Sequence, residues 1–282
     1  MSFNLLLQAL KELEKAFKSC NSKLIVGGGF GLFLWQSEAL GNESFRSLIS
    51  KNAWCEARAT ADLDVFLETE ILADLESIQR LRTELDGLGY TVISGVEFLH
   101  FEKHYSSTER VEINFLTGPI LDKALEEKIH IKKPRARPKG DVQLHAYLTK
   151  EAIGLSWSLL PIKTIGISEL YVPHAATLLV MKLHAFSDRM KKRDDEKASH
   201  HAVDVYRILC LMEENIFEET KVFLSDRRRD IVVISSSEII AENFGAPDQP
   251  GFTKIKEHPL YRSEFDLKTM MSVLAELLPI KE

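Results

Sequence analysis

The sequence predicts an α+β fold, in which a mixed sheet with flanking helices is followed by a helical C-terminal domain. Residues 4–18 space their leucines as an amphipathic helix does, and short apolar runs then follow that are typical of strands. From residue 173 onward the apolar residues return to helical spacing. The strand-like runs lie at 24–26, 60–67, 90–93, 98–102 and 110–116.

Composition and periodicity divide the chain into three stretches. The first holds the predicted sheet and one helix, for which we expect Thr69 as the N-cap and Leu88 as the approximate end. The second opens with a basic segment broken by prolines and a glycine, which predicts a mobile linker loop, and continues with weak strand signals. The third is helical. The predicted boundaries are 1–130, 131–172 and 173–282.

A run of three glycines joins the first predicted strand to the next helix. Residues 24–26 end in Gly27-Gly28-Gly29, and an apolar stretch from Phe30 to Trp35 follows. Such a turn lets the backbone approach a phosphate, and the helix N-terminus offers N–H donors to the anion. A tight turn that only permits close packing would have the same sequence. The P-loop and Rossmann fingerprints are both absent from the chain.

Charge and composition exclude several classes of protein. The 282 residues carry 36 basic and 42 acidic side chains, a formal charge of −6, which does not favour nonspecific duplex binding. The chain has no apolar run near the roughly 20 residues of a membrane span and no signal-peptide pattern, so we expect a cytoplasmic protein without a membrane partner. Local basic runs lie at 132–139 and 226–229, and each alone is typical of a solvated loop.

Two carboxylates share one face of the predicted strand at 60–67. Because side chains alternate between the faces of a strand, Asp62 and Asp64 point the same way, while Leu63 and Val65 point into the core. Adjacent carboxylates repel each other unless a cation lies between them, and Mg²⁺ or Mn²⁺ suits oxygen ligands. The pair therefore predicts a metal site, although two solvated acids on an exposed strand would look identical.

The strand at 110–116 offers a third carboxylate. Val111, Ile113 and Phe115 form its buried face, which leaves Glu112 on the polar face. If this strand pairs with the strand of the aspartates, Glu112 completes a cluster able to bind two metal ions. An ordinary half-exposed strand is the alternative explanation for Glu112.

Together these motifs resemble the DNA polymerase β-type nucleotidyltransferase superfamily. Within it, Ile-Val-Gly-Gly-Gly-Phe at 25–30 and Arg-Ala-Thr-Ala-Asp-Leu-Asp-Val-Phe at 58–66 look most like the AbiEii/AbiGii-type group. That group includes toxins of bacterial toxin–antitoxin and abortive-infection systems. The similarity continues through a lysine-bearing helix at 178–189 and a helix around 201–206.

The resemblance implies a nucleotidyltransferase fold and a magnesium-dependent transfer of NMP from an NTP to an acceptor hydroxyl. Asp62, Asp64 and Glu112 would bind the metal, and Lys182 would contact a phosphate. A lysine on so apolar a helix also needs an anionic partner on physical grounds. The other nucleotide-binding residues that the resemblance implies are Gly27, Gly28, Gly29, Arg58, Thr60, Arg189 and Asp204. Of these, Asp204 and Arg189 would support either the nucleotide or Lys182.

The sequence leaves the acceptor open. The resemblance favours a tRNA 3′ end or a protein side chain, as for a toxin with a partner antitoxin, and would make the basic segment 132–139 an RNA contact. A small-molecule acceptor, as in antibiotic-modifying relatives, agrees better with the charge of −6. A catalytically silent nucleotide-binding or partner-binding module is the third interpretation, because Gly29 stands where many relatives carry a hydroxyl.

Overall fold

The computed structural model describes residues 3–57, 62–96, 98–140, 142–163 and 165–279. These residues form two units, one made of Met1–Glu38 and Arg58–Pro173, and the other of Ala39–Ala57 and His174–Glu282. The first unit holds a mixed sheet with helices and the second is helical. The α+β architecture is thereby confirmed, while the nucleotidyltransferase fold stays a prediction.

Ten strands form one sheet among the described residues of the first unit. They are β1 (Leu24–Val26), β2 (Asp62–Leu67), β3 (Thr91–Val92), β4 (His100–His104), β5 (Arg110–Thr117), β6 (Ile129–Lys132), β7 (Arg135–Pro138), β8 (Ala146–Leu148), β9 (Leu159–Ile162) and β10 (Leu170–Pro173). Their order is β6-β7-β8-β5-β2-β1-β10-β9, with β4 pairing with both β3 and β5.

The strand that carries the aspartates lies at the centre of this sheet. β2 is antiparallel to β1 and parallel to β5, with Asp62 beside Glu112 and Asp64 beside Asn114. The pairing of β2 with β5, on which the predicted carboxylate cluster depends, is therefore confirmed. Both strands alternate in burial over their first residues, so polar side chains gather on one face of the sheet.

Two helices lie against the opposite, apolar face. The helices of this unit are α1 (Phe3–Ser19), α2 (Gly28–Gly41, of which Gly28–Glu38 belong to this unit), α3 (Thr69–Leu72), α4 (Leu75–Gly87) and α5 (Lys123–Glu126). Lys103 on β4 shares its face with Val111, and its Nζ pairs with Glu12 of α1 at 2.8 Å. On the same face, the guanidinium of Arg82 on α4 lies over the ring of Phe101. The face that carries Asp62 and Asp64 is thus the one away from α1 and α4.

The single helix predicted from Thr69 is wrong. It is divided into α3 and α4, because the side chain of Asp74 accepts a hydrogen bond from the backbone N–H of Glu76 and caps a new helix. The N-cap position of α3 is Glu68 rather than Thr69, and its side chain makes no capping hydrogen bond.

The predicted linker at the start of 131–172 is also wrong, because its basic segment is a β-hairpin within the sheet. β6 and β7 pair antiparallel, and β7 pairs in turn with β8. Ala136 is completely buried opposite Ala146, and Ile129 is buried at the start of the hairpin. Small and apolar residues alternate here with the cations, a strand pattern that the prolines obscure in the sequence.

Six helices make up most of the second unit. They are α6 (Ala175–Lys191), α7 (Asp195–Cys210), α8 (Glu214–Asp226), α9 (Ile231–Asn243), α10 (Pro250–Glu257) and α11 (Leu267–Leu277). α6 and α7 pack against each other and contribute Leu179, Leu183 and Tyr206 to the core. None of the helices described in either unit is long and apolar enough to cross a membrane.

Candidate functional site

The two aspartates of β2 converge on a single amide. Asp62 is exposed and Asp64 half-buried, while Leu63 between them is fully buried. From the neighbouring strand β5, Asn114 Nδ2 donates to Asp62 Oδ2 at 3.3 Å and to Asp64 Oδ1 at 3.0 Å. Because one nitrogen reaches an oxygen of each carboxylate, the two side chains aim at the same small volume, as strand alternation predicts.

A histidine fixes the orientation of that amide. His100 of β4 is the register partner of Asn114, and its Nδ1 lies 2.5 Å from Asn114 Oδ1. An amide oxygen only accepts hydrogen bonds, so His100 Nδ1–H is the donor. The amide nitrogen then faces the carboxylates. Sequence reasoning missed both residues, although Asn114 stands two positions after Glu112 and so had to share its face.

Glu112 lies beside the pair but is bound to a cation of its own. Its carboxylate accepts from Arg110 at 2.7 Å, and Arg110 also pairs with Glu102 at 3.3 Å. Within the described ranges, no group of three His, Cys, Asp or Glu side chains is arranged to hold a metal ion. The role of Glu112 as a third metal ligand stays a prediction, and its ion pair with Arg110 does not support it.

The glycine turn lies directly against the aspartates. Gly27 N–H donates to the backbone oxygen of Asp64 at 2.8 Å, and α2 begins at Gly28. Gly28 has a φ of +64°, and a Cβ there would lie 2.1 Å from Asp64 Oδ2. A Cβ on Gly27 would lie 2.5 Å from the ring of Phe66. Close packing of the turn on β2 therefore requires glycine at both positions.

The same packing places the N-terminus of α2 beside the acidic pair. The first N–H groups of an α-helix have no acceptor within the helix, and here they belong to Gly28, Gly29 and the residue that follows. Such groups bind phosphate oxygens in many proteins. Carboxylate oxygens and free N–H donors are thus neighbours in this unit. Phosphate binding by Gly27, Gly28 and Gly29 stays a prediction.

Two of the predicted nucleotide-binding residues, Arg58 and Thr60, lie outside the described residues. They immediately precede β2 in the chain. Nucleotide binding by Arg58 and Thr60 stays a prediction.

The remaining predicted residues lie in the helical unit, where Lys182 of α6 finds an anionic partner in Asp204 of α7. The two are 2.7 Å apart, and Arg207 reaches the other carboxylate oxygen of Asp204 at 3.1 Å. Only 8% of Lys182 is exposed, and 1% or less of the other two. The structure thus brings Lys182 and Asp204 together, whereas Arg189 pairs with Asp194 at 3.5 Å.

Comparison with known proteins provides no relative of this chain. No family model, no curated protein and no solved structure matches it. The functional assignment therefore depends on the geometry of the site.

Proposed function

We propose that this chain is a metal-dependent nucleotidyltransferase with a polymerase β-type catalytic unit. The observation that carries the proposal is the convergence of the Asp62 and Asp64 carboxylates next to the N-terminus of α2. Oxygen donors for a divalent cation and N–H donors for a phosphate chain are what binding of a metal–triphosphate complex requires. The two kinds of donor lie side by side in the first unit.

The acidic pair suits Mg²⁺ or Mn²⁺ in its chemistry. Carboxylate oxygens are the ligands that these hard cations prefer, and two such ligands leave positions open for water and substrate phosphates. When bound, the cation would polarise the phosphates and stabilise the charge that develops in the transition state. Asn114, held by His100, keeps the two carboxylates aimed at one point.

The reaction that fits these groups is attack of an acceptor hydroxyl on the α-phosphorus of an NTP. The new O–P bond forms as the bond to the leaving oxygen breaks, and pyrophosphate departs. The N–H groups of Gly28 and Gly29 would hold the triphosphate against the acidic pair. Orientation and charge stabilisation supply most of the catalysis in reactions of this class. A role as the toxin of a toxin–antitoxin pair would be one biological use of this activity.

Incorporation of label from each α-³²P-NTP tests the proposal directly. The protein is incubated with Mg²⁺ and, separately, total tRNA, cell protein and an aminoglycoside mixture. We expect label in one of these acceptors and a loss of about 100-fold or more in Asp64→Asn, since a metal ligand is removed.

Glu112→Gln is the matched control, because it removes a neighbouring carboxylate that Arg110 already binds. It should retain most of the activity. Binding of Mn²⁺, followed by electron paramagnetic resonance, provides a second readout that needs no acceptor. Undiminished Mn²⁺ binding after Asp62 and Asp64 are both changed to Asn would rule the site out.

A further inference from the structure

The helical unit contains an apolar cleft of about 530 Å³ between two of its helices. α8 and α9 both pack against α6, and side chains of each line the cleft together with the last residues of α11. Its apolar lining residues are Leu224, Val233, Ile234, Ala241, Leu277 and Leu278. Clefts of this volume, with mostly apolar walls and a few polar groups, are where proteins bind small organic ligands. The walls therefore indicate a ligand with an apolar body.

Charged side chains of the cleft indicate the head group of that ligand. Lys221 Nζ pairs with Glu276 Oε1 at 2.5 Å, so these two charges offset each other. Arg228 and Glu238 also line the cleft, and both are exposed. In the part of the chain that the structure describes, neither of these two side chains forms an ion pair. Arg228 is therefore the cation that an external anion can bind.

The charges lie in a definite order along the cleft. Arg228 belongs to the turn at 227–230 that joins α8 to α9. Glu238 lies about 10 Å along α9 from that turn, and Lys221, paired with Glu276, lies about 8 Å along α8. The end at the turn is therefore positive, and the other end carries two acids and one cation. A ligand that fits has one anionic end and an uncharged tail, because a second anion would face Glu238 and Glu276.

We propose that this cleft binds an amphipathic anion, namely an alkyl chain that ends in a carboxylate or a phosphate. The chain would lie along the apolar walls, where the area removed from water drives binding. The anionic head would pair with Arg228, since a guanidinium binds either group through two parallel hydrogen bonds. This binding does not depend on nucleotidyl transfer, and the acidic pair takes no part in it.

Isothermal titration calorimetry of the full chain with decanoate, decyl phosphate, decanol and decanedioate tests the proposal. Decanoate or decyl phosphate should bind most tightly, and the tighter of the two identifies the head group. Decanol lacks the charge and should bind about tenfold more weakly, as the loss of a hydrogen bond to a charged group implies. Decanedioate should also bind more weakly than decanoate, because its second carboxylate would face Glu238 and Glu276.

Substitutions in the cleft separate the head group from the tail. Arg228→Gln should weaken binding of the anion about tenfold and leave binding of decanol unchanged. Arg229→Gln is the matched control, because it removes the next arginine, which is exposed but is not among the residues that line the cleft. Ser237→Phe fills the cleft from a half-buried position on α9 and should abolish binding of the whole series. An unchanged circular dichroism spectrum of Ser237→Phe separates occlusion of the cleft from unfolding.

A smaller apolar cleft of the same unit provides the competing result. It has a volume of about 310 Å³, is lined by Phe252 and Leu267, and carries Lys256 and Lys268. Lys268→Gln should leave decanoate binding unchanged. Loss of binding in Lys268→Gln but not in Arg228→Gln would assign the anion to this smaller cleft. That result, equal affinities for decanoate and decanol, or no binding of decanoate or decyl phosphate would overturn the proposal.

Discussion

The acidic pair on the sheet and the lysine–aspartate–arginine cluster among the helices use the same kinds of charge in opposite surroundings. Asp62 is exposed and Asp64 half-buried, and a neutral amide donates to both. Asp204 is completely buried and has two cations within 3.1 Å. The resemblance assigns nucleotide-binding roles to residues of both regions, yet only the first presents its charges to solvent.

The contrast separates two reasons for keeping a charged residue. In the buried cluster each charge replaces its lost solvation with an internal partner, so removal of one partner should destabilise the fold. On the sheet, burial does not require two like charges to converge, and their mutual repulsion opposes it. A bound cation would relieve that repulsion, as the proposed function requires.

The largest effect should come from Asp204→Ala. It leaves Lys182 and Arg207 buried without the carboxylate that both contact, and we expect a loss of roughly 3–5 kcal/mol in the free energy of unfolding. Urea denaturation measures this loss. Asp62→Ala is the matched control, and as a change at an exposed position it should alter stability by only about 0.5 kcal/mol. Equal losses of unfolding free energy in Asp204→Ala and Asp62→Ala would show that the exposed pair contributes to stability as much as the buried cluster does.

Gly28→Ala should damage both stability and the acidic site. A left-handed backbone costs a non-glycine residue roughly 1–2 kcal/mol, and the new Cβ would also displace the Asp64 carboxylate. Gly89→Ala provides the control, because Gly89 has a φ of +84° with no atom within 4 Å of its Cβ position. Both variants should be strained, but Gly28→Ala alone should weaken Mn²⁺ binding. Equal Mn²⁺ affinity in the two would place the cation away from Asp64.

Asn114→Ala should weaken Mn²⁺ binding roughly tenfold, as the loss of a hydrogen bond that orients a metal ligand commonly does. Asn114→Asp should instead strengthen it, because a third carboxylate would join the pair. Glu112→Gln should change Mn²⁺ affinity by less than about twofold, since Arg110 already binds the carboxylate of Glu112. Weaker Mn²⁺ binding in Glu112→Gln than in Asn114→Ala would indicate that Glu112 is a third metal ligand.

The sequence predicted the features that are encoded by a few neighbouring residues and missed those that depend on contacts between distant segments. Alternation of acidic and apolar residues identified β2 and the shared face of Asp62 and Asp64, and three glycines after an apolar run identified the turn. Asn114 was missed because a neutral amide gives no charge signal in the sequence, whereas Glu112, two positions earlier on the same face, was named for its carboxylate. Lys182 was predicted to need an anionic partner, with a nucleotide phosphate as the expected one, and in the structure it pairs with Asp204. That the anion is Asp204 depends on how α6 and α7 pack.

Titration of His174 should give the smallest effect, and it concerns the helix that carries Lys182. His174 Nδ1 accepts from Ala176 N–H and so caps α6, and Nε2 lies 3.2 Å from Glu219 Oε2. Burial lowers the pKa of His174 below its ordinary value of 6.5, against the opposing effect of Glu219. The folded state therefore binds this proton less tightly than the unfolded state does.

The stability that neutral His174 contributes is thus complete above about pH 6.5 and is lost as the pH falls through the lowered pKa. Protonation removes the lone pair that caps α6 and places a cation at a helix N-terminus, an interaction worth about 0.3–1 kcal/mol. His174→Asn keeps a capping side chain without the titration. Urea midpoints measured from pH 7.5 to 5 should therefore fall more steeply for the unsubstituted chain than for His174→Asn. Parallel curves would show that the acid sensitivity of the helical unit has another origin, such as its buried ion cluster.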